Sequence, residues 1–327
     1  MRLYAYRDRF DDERFGVLVG DRLLTGAQLE KRGRLDRAVS THLGIGFHLG
    51  IEDERWLRAI ERATRRALMA GAPLVDVDAR RPIAAIDALG PGGKVVCVGL
   101  NYGDHAKEGG RAAPDRPMLF AKFANAIIGD GDAIVRPEGT HALDLEVELG
   151  VVMGRRTRRV TEDGAMDHVA GYVVVNDVSA RDWQGNPQAL REGEKGDGQW
   201  LRAKGSDTFL PVGPVFVTRD EVDPARGLRL RSWRIPGSGP GAGTPVPMQD
   251  GNTSDMLFHV PALVSYISRH ITLEPGDLIA TGTPSGVGVF RDPPVFLEPG
   301  DRARCEIDGI GAVENPIVDW NDDPRAD

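Results

Sequence analysis

The stretch Leu143-Asp144-Leu145-Glu146-Val147-Glu148-Leu149 decides the fold, because acidic and apolar residues alternate in it without a break. A β-strand points successive side chains to opposite faces, so the pattern predicts a half-buried strand with its three acids on one face. Two glutamates at positions i and i+2 then lie about 7 Å apart along the strand, which suits two oxygens on one hard cation. Taken alone, the spacing fits an acidic solvent-facing strand better.

A third acid follows a second apolar strand. Residues 172–175 form a continuous apolar run that ends at Asn176 and Asp177. A rigid strand end can hold a charged group in a cleft, although an ordinary turn or helix cap fits the same residues. Three carboxylates without a histidine pair favour Mg²⁺ or Mn²⁺, and also allow Ca²⁺, over zinc. With Glu146 and Glu148 as partners of Asp177, such a cation would keep open positions for a substrate.

Glycine and proline divide the chain into short apolar runs from about residue 93 onward. The sequence holds 41 Gly and 22 Pro, and runs such as Lys94–Val98 and Val151–Met153 are typical of short buried strands. Many short strands with turn residues between them predict an α+β, β-rich body of the sandwich or barrel-like type, with few helices.

The first 80 residues have a different pattern. Leu3–Tyr6 and Phe15–Val19 are predicted strands, and Asp53 is the predicted cap of the helix that follows it. The apolar residues of that helix recur at helical spacing, namely Trp56, Ile60, Ala63 and Ala67. We therefore predict a small N-terminal α/β domain at residues 1–80 and a larger domain, which carries the acids, at residues 81–327.

The composition excludes several classes of protein. The formal net charge is -8, with both signs interleaved, which argues against a nucleic-acid partner. No apolar run approaches the roughly 20 residues of a membrane span, and the charged amino terminus lacks the apolar stretch of a signal peptide. We therefore expect a cytoplasmic protein with no membrane partner. Cys97 and Cys305 are far apart in apolar runs, so we expect core thiols without a disulfide.

A histidine and a glutamate lie three residues apart where a strand breaks at Gly99. If the polar segment that follows forms a helical turn, His105 and Glu108 meet on one face. A glutamate beside an imidazole orients the ring and fixes its tautomer, as a general base requires. An unimportant surface pair fits the spacing as well.

A second loop, residues 281–288, is crowded with glycine after a predicted strand. Its backbone can approach a ligand closely, and its amides can donate to a carboxylate. The loop lacks the glycine spacing of phosphate-binding and dinucleotide-binding loops, so neither of those sites is predicted. A purely structural loop remains the simpler alternative.

Together these segments resemble the fumarylacetoacetate hydrolase family over about residues 93–318. The matching pieces, in order, are VGLNYGDHAKE, FAKFANAIIG, LDLEVELGVVMG, GYVVVNDVSARDWQ, GQWLRAKGSDTFLPVGP, QDGNTSDMLF, LEPGDLIATGTPSGVGVF and LEPGD. Their number and order make a chance match an unattractive explanation. The resemblance implies a mixed β-sandwich roll, a homodimer and a small 2-oxo acid as substrate. A Gly/Pro-rich loop within Ser232–Met248 departs from the family pattern.

The resemblance also implies roles for individual residues. The implied Mg²⁺ or Mn²⁺ ligands are Glu146, Glu148 and Asp177. The implied catalytic residues are His105, Glu108 and Lys204. The implied substrate contacts are Arg181, Gln184, Thr283 and Lys122.

Within such a family the expected reaction is hydrolysis of a C–C bond in an acylpyruvate-type 2-oxo acid. His105, supported by Glu108, would then deprotonate a water molecule, and the cation with Lys204 would stabilise the enolate that leaves. A 2-oxo-acid decarboxylase or a tautomerase, for example of oxaloacetate, is the alternative enzyme. A catalytically weak protein that binds metal and 2-oxo acid is the alternative of another class.

Overall fold

The computed structural model describes residues 1–40, 55–86 and 93–325. Its strands are β1 Arg2–Arg7, β2 Glu13–Val19, β3 Arg22–Leu24, β4 Val75–Asp76, β5 Arg81–Pro82, β6 Val95–Gly99, β7 Met118–Lys122, β8 Ile127–Ile128, β9 Ile134–Arg136, β10 Leu143–Asp144, β11 Val147–Met153, β12 Val169–Asn176, β13 Ser179–Ala180, β14 Leu210–Pro211, β15 Val215–Thr218, β16 Arg229–Ile235, β17 Val246–Asn252, β18 Leu278–Ala280, β19 Arg302–Ile307 and β20 Gly311–Asp319. Its α-helices are α1 Gly26–Lys31, α2 Arg37–Ser40, α3 Arg55–Met69, α4 Gly103–Glu108, α5 Glu162–Ala165, α6 Arg181–Gln184, α7 Trp200–Gly205 and α8 Val260–His270.

A large mixed sheet forms the centre of the fold. Its strand order is β4-β3-β2-β1-β15-β12-β11-β18-β6-β7, with β5 paired to β1 at the side. The strands β18 and β6 run parallel, whereas β11 runs antiparallel to both of its neighbours. Every residue of β11 and β12 is buried, as continuous apolar runs predict for strands covered on both faces.

A second sheet covers one face of the first. Its order is β17-β16-β19-β20-β9, and it packs through β16, β19 and β20 against β11 and β12. Two sheets packed face to face, with few helices of more than two turns, are the predicted β-rich α+β sandwich. The fold class is therefore confirmed.

The prediction of one continuous, half-buried strand over Leu143–Leu149 is wrong. The chain forms β10 and β11 with a break at Leu145 and Glu146, because β10 pairs with β13 whereas β11 pairs with β12 and β18. At the break the Glu146 amide donates to the Asn176 side chain at 2.9 Å instead of to a neighbouring strand. All seven residues are buried, so the acids face the interior of the protein rather than solvent.

The N-terminal residues extend the central sheet. Strand β1 lies between β2 and β15, and both neighbours pair with it in antiparallel register. Helix α3 buries the four residues of the predicted apolar face, which is confirmed. The predicted cap, Asp53, lies outside the described residues. The division into domains at residue 80 stays a prediction, although both parts share one hydrogen-bonded sheet.

The Gly/Pro-rich loop is shorter than the range Ser232–Met248 predicts. Strand β16 continues to Ile235 and β17 begins at Val246, so the irregular segment covers residues 236–245. Ser232 and Gln249 stay paired across the hairpin. The site-facing base of the hairpin therefore keeps its regular geometry.

Both cysteines are free and buried, as predicted for core thiols. Burial raises the pKa of Cys305 far above its ordinary value, which keeps the thiol protonated. Within residues 1–40, 55–86 and 93–325, no helix has the length and apolar character that crossing a membrane requires.

Candidate active site

Three buried carboxylates meet where β11 and β12 lie side by side. Glu148 belongs to β11, Glu146 directly precedes that strand, and Asp177 directly follows β12. The pairing of Val147 with Asn176 brings these positions together, and the Asp177 amide donates to the Glu146 carbonyl at 2.9 Å. One oxygen from each carboxylate lies within 4.8 Å of the others. The three predicted ligands are thus one carboxylate cluster.

The cluster shares its neighbouring cations unequally. Lys204 Nζ donates to Glu146 Oε2 at 2.6 Å and to Asp177 Oδ2 at 2.9 Å. Arg181 Nη2 donates to the other oxygen of Glu146 at 2.5 Å. Glu148 accepts one backbone amide at 2.8 Å, and no cationic side chain of the described residues bonds to it.

This inequality sets the protonation of the cluster. Burial opposes the charge of Glu146, but Arg181 and Lys204 hold the pKa of its carboxyl below the ordinary value. Burial, with Asp177 and Glu146 nearby, raises the pKa of the Glu148 carboxyl well above the ordinary value. Burial also opposes the charge of Lys204, yet Asp177 and Glu146 raise the pKa of that ammonium. Glu148 is therefore a buried carboxylate that lacks a counter-charge of its own.

A divalent cation fits this cluster. The convergent atoms are carboxylate oxygens, which are the ligands that Mg²⁺ and Mn²⁺ prefer. Such an ion would also supply the counter-charge that Glu148 lacks, because an opposite charge at short range favours the ionised form. The residues that would hold it are Glu146, Glu148 and Asp177.

A cavity of about 390 Å³ connects the carboxylate cluster with the surface. This volume is in the range of pockets that take small molecules. The residues predicted for the site that border it are His105, Glu146, Glu148, Asp177, Arg181, Gln184, Lys204 and Thr283. Glu108 and Lys122, also predicted for the site, contact these residues without bordering the cavity.

The His105–Glu108 pair forms on α4 as its spacing predicts. His105 Nδ1 lies 2.7 Å from Glu108 Oε1. An ionised carboxylate only accepts hydrogen bonds, so in the neutral imidazole Nδ1 carries the hydrogen and Nε2 has the lone pair. Nε2 has no hydrogen-bond partner within the described part of the chain. This is the arrangement of a general base that a neighbouring carboxylate orients.

Three amides of the glycine-rich loop, residues 281–288, bind the protein's own carboxylates. The amide-to-carboxylate pairs are Gly282 with Glu148, Gly286 with Glu108 and Gly288 with Asp144, at 2.8 to 2.9 Å. Ser285 Oγ adds a bond to Asp104 Oδ2 at 2.6 Å, which holds α4 against the loop. Gly286 has φ +100°, and a Cβ there would meet the Met248 carbonyl at 2.4 Å, so this turn requires glycine.

Asp144 is a supporting residue that the sequence argument did not assign to the site. It is fully buried and accepts from Arg181 Nε at 2.9 Å, besides the amides of Gly288 and Val289 at 2.8 and 3.1 Å. It therefore fixes Arg181 against Glu146 and ties both to the glycine-rich loop. The alternating acids around it were the available signal, since Asp144 begins the same series.

The polar side chains around the cluster are themselves hydrogen-bonded. Gln184 Oε1 accepts from Arg181 Nη1 at 3.1 Å, which leaves its amide nitrogen for a ligand. Thr283 Oγ1 donates to the Val147 carbonyl at 2.9 Å and accepts from Gln249 Nε2 at 2.6 Å. Because their partners hold them in place, both side chains can present a fixed polar surface to the cavity.

Lys122 lies beside Asp177. Its buried ammonium is 2.8 Å from Asp177 Oδ1 and donates to the carbonyls of Val178 at 3.0 Å, Phe209 at 2.7 Å and Lys204. Burial lowers the pKa of Lys122, whereas Asp177 raises it. The three carbonyls account for the three N–H donors of this ammonium, which fits support of Asp177, and the substrate contact stays a prediction.

Comparison with known proteins places this geometry in a family. The family profile described as fumarylacetoacetate (FAA) hydrolase C-terminal matches residues 94–318. A mitochondrial oxaloacetate tautomerase of Xenopus laevis is 45% identical over 225 residues, which are 69% of this chain and 65% of that protein. The chain thus matches somewhat less than two thirds of the length of that relative.

Two solved structures show the same fold over nearly the whole chain. The 2-hydroxyhepta-2,4-diene-1,7-dioate isomerase from Mycobacterium marinum has a TM-score of 0.66 at 32% identity, covering 98% of this chain and 99% of that one. The maleylpyruvate hydrolase from Sphingobium sp. SYK-6 has a TM-score of 0.70 at 29% identity, covering 98% of this chain and 100% of that one. With the family match over most of its length, the chain belongs to the fumarylacetoacetate hydrolase family of enzymes.

Proposed function

We propose that this chain is a divalent-cation-dependent tautomerase or isomerase that moves a proton within a small 2-oxo acid such as oxaloacetate. The observation that carries the proposal is that His105 and the carboxylate cluster border one cavity. The Xenopus relative, named an oxaloacetate tautomerase, supports this reaction more directly than the hydrolysis predicted from sequence. We therefore place hydrolysis second.

The site would work by fixing one end of the substrate and moving a proton at the adjacent carbon. When bound, Mg²⁺ or Mn²⁺ would act as a Lewis acid toward the carboxylate and 2-oxo oxygens of the substrate. Lys204 places a buried positive charge beside the same carboxylates, where it can stabilise charge that develops on the 2-oxo oxygen.

His105 would carry the proton. Its Nε2 takes the proton from C3, the C–H electrons form the C2–C3 double bond, and the carbonyl electron pair moves onto oxygen. The protonated His105 returns a proton to that oxygen, directly or through water, so the imidazole is regenerated and the overall reaction is an isomerisation without loss of atoms. Glu108 keeps the imidazole in the required tautomer through its 2.7 Å contact with Nδ1.

Hydrolysis of a C–C bond is the second candidate. The same base could deprotonate a water molecule, and the solved structure of a maleylpyruvate hydrolase shares the fold at 29% identity. Decarboxylation would need neither the base nor water. The three reactions give different products from the same class of substrate, so product analysis separates them.

The test follows exchange of the C3 hydrogens of oxaloacetate for deuterium by NMR, with and without Mg²⁺ or Mn²⁺. We expect metal-dependent exchange that His105→Ala lowers by about 10²- to 10⁴-fold, as loss of a general base does. His259→Ala is the matched control, because His259 is exposed and does not border the cavity. Cleavage of an acylpyruvate into two acids without exchange would favour the hydrolase, and release of carbon dioxide alone would favour the decarboxylase.

Other properties of the protein are proposed on the same basis. We propose Mg²⁺ or Mn²⁺ as the metal from the oxygen ligands, and a homodimer from the family resemblance alone. The cytoplasm stays the proposed compartment, whereas the Xenopus relative is named as mitochondrial. Titration with each metal, sedimentation and cell fractionation test these points separately.

A further inference from the structure

A third cationic side chain borders the cavity besides Arg181 and Lys204. Both of those are buried and bonded to carboxylates of the protein, so neither has a free charge for a distant substrate group. Arg111 borders the same cavity but is exposed, and no acidic side chain in residues 1–40, 55–86 or 93–325 pairs with it. It is therefore the cation of the cavity lining whose charge is available to a ligand.

The end of α4 fixes the backbone of Arg111. The Arg111 amide donates to the Ala106 carbonyl at 2.9 Å and the Gly110 amide to the Lys107 carbonyl at 3.0 Å. Gly110 has φ +66°, so these bonds form the helix-ending motif in which a left-handed glycine closes the last turn. One hydrogen bond from the Arg111 amide and one from the Gly110 amide thus attach this turn to the helix that carries His105.

We propose that Arg111 binds a second, distal carboxylate of the substrate, so that the site selects 2-oxo dicarboxylic acids over 2-oxo acids with an uncharged tail. This inference rests on the proposed function, which places the first carboxylate at the cluster and the reacting carbon at His105. The segment that follows α4 lines the same cavity as His105 and the cluster, so it can meet a group beyond that carbon. A guanidinium pairs with a carboxylate through two parallel hydrogen bonds, which gives both affinity and orientation.

The arrangement links recognition to catalysis. Because Arg111 is hydrogen-bonded to α4, a carboxylate that engages its guanidinium also holds the helix that positions His105. An acid without that carboxylate would bind through the cluster alone and leave α4 held only by its contacts with the glycine-rich loop. Arg111 is therefore a specificity-determining residue in this proposal.

The test compares two four-carbon acids that differ in the distal group, oxaloacetate and 2-oxobutyrate. Deuterium exchange at C3 is measured for wild type, Arg111→Gln and Arg111→Lys. We expect Arg111→Gln to lower kcat/KM for oxaloacetate by about 10- to 100-fold, because one charge-assisted hydrogen-bonded pair is lost. The kcat/KM for 2-oxobutyrate should stay within about twofold of the wild-type value. Arg111→Lys should recover part of the loss, because it keeps the charge but not the paired geometry.

Arg116→Gln is the matched control, since Arg116 is exposed nearby but does not border the cavity. It should leave kcat/KM for both acids unchanged. The proposal would be overturned if Arg111→Gln lowered kcat/KM equally for both acids, or if it did not lower kcat/KM for oxaloacetate.

A binding measurement separates this proposal from the proposed reaction. In His105→Ala protein with Mg²⁺, calorimetry compares oxaloacetate with oxalate, which has no distal group. Adding Arg111→Gln should weaken the binding of oxaloacetate by about 10-fold or more and leave the affinity for oxalate unchanged. That result would support the dicarboxylate site even if no exchange occurs in wild type.

If exchange occurs but the double variant binds oxaloacetate as tightly as His105→Ala does, the dicarboxylate site is wrong while the tautomerase stands. Failure of His105→Ala to bind oxaloacetate at all would also overturn the site.

Discussion

The two ends of the cavity hold their charges in different ways. At the carboxylate cluster every side chain is buried, and the cations arrive from α6, α7 and β7. At the other end, His105 and Arg111 belong to one six-residue helix and the turn that closes it. The first end depends on compensation among buried charges, whereas the second depends on a few local hydrogen bonds. Damage to the first should therefore cost binding and stability, and damage to the second should mainly cost turnover.

The largest expected effect is that of Glu148→Gln. The substitution keeps the shape of the side chain but removes one proposed ligand, so metal-dependent activity should fall by about 10³-fold or more. Calorimetric titration with Mg²⁺ and Mn²⁺ shows whether metal binding is lost as well. Glu192→Gln, at an exposed position outside the cavity, is the control. Metal binding of wild-type strength in Glu148→Gln would remove Glu148 from the proposed centre.

The same variant should leave the metal-free protein at least as stable as wild type. The raised pKa of Glu148 means that the folded state keeps a proton that the unfolded chain releases, so this group lowers stability as pH rises above the ordinary value of 4.5. In urea titrations with a chelator, the advantage of Glu148→Gln in unfolding free energy should grow from pH 4.5 upward. A variant less stable than wild type across this range would show that the protein compensates the charge by itself.

Lys122→Met should destabilise the protein without touching the cavity. It leaves Asp177 and three backbone carbonyls without the ammonium, and breaking a buried ion pair in this way costs about 3 to 5 kcal/mol. The free energy of unfolding in urea measures the loss, with the exposed Lys195→Met as control. A stable variant that has lost only substrate affinity would support the predicted substrate contact instead.

Glu108→Gln should lower turnover at the helix end while leaving metal binding intact. An amide can place either an acceptor or a donor beside His105 Nδ1, so the imidazole no longer has one fixed tautomer. We expect kcat to fall by about 10- to 100-fold with KM nearly unchanged. A larger change in KM than in kcat, or a loss of metal affinity, would contradict the separation of the two ends.

The smallest expected effect is that of Ser285→Ala. It removes the 2.6 Å hydroxyl bond to Asp104, one of the contacts that hold α4 against the glycine-rich loop. One such bond contributes about 0.5 to 1.5 kcal/mol, so kcat should fall by about two- to tenfold. Ser254→Ala, which removes a surface hydroxyl near Asp255, should have no effect. Equal rates for the two variants would show that the loop does not position the helix.

Sequence pattern was sufficient for the elements that depend on local spacing. The strands β11 and β12 follow from continuous apolar runs, and the buried face of α3 and the His105–Glu108 pair follow from a spacing of three to four residues. The three predicted ligands each stand at or next to the end of a recognisable strand, and the pairing of β11 with β12 brings them together. The strands, the helix face and the His105–Glu108 pair are local features, so neighbouring residues determine them.

Contacts between distant segments could not be predicted in this way. The break between β10 and β11 arises because two different strands pair with the two halves of one alternating stretch. Lys122 has the same charge as Lys204, but only the fold shows that its ammonium is enclosed by carbonyls from residues 178, 204 and 209. Arg111 had no motif to mark it, and its position on the cavity wall depends on the turn that ends α4.

The position of β1 inside the central sheet has a consequence for biosynthesis. Its partner β15 begins only at Val215, so during translation the first strand waits for its neighbour for roughly 10 to 40 s at ordinary elongation rates. Until then the Arg2–Tyr4 part of β1 has β2 but not β15 as a hydrogen-bonded neighbour, although Leu3 is fully buried in the finished protein. A nascent chain with such an unpaired apolar edge is a substrate for chaperones and a starting point for aggregation. Refolding of the purified protein should be slow for the same reason, because strands this far apart in sequence must find each other before the sheet can close.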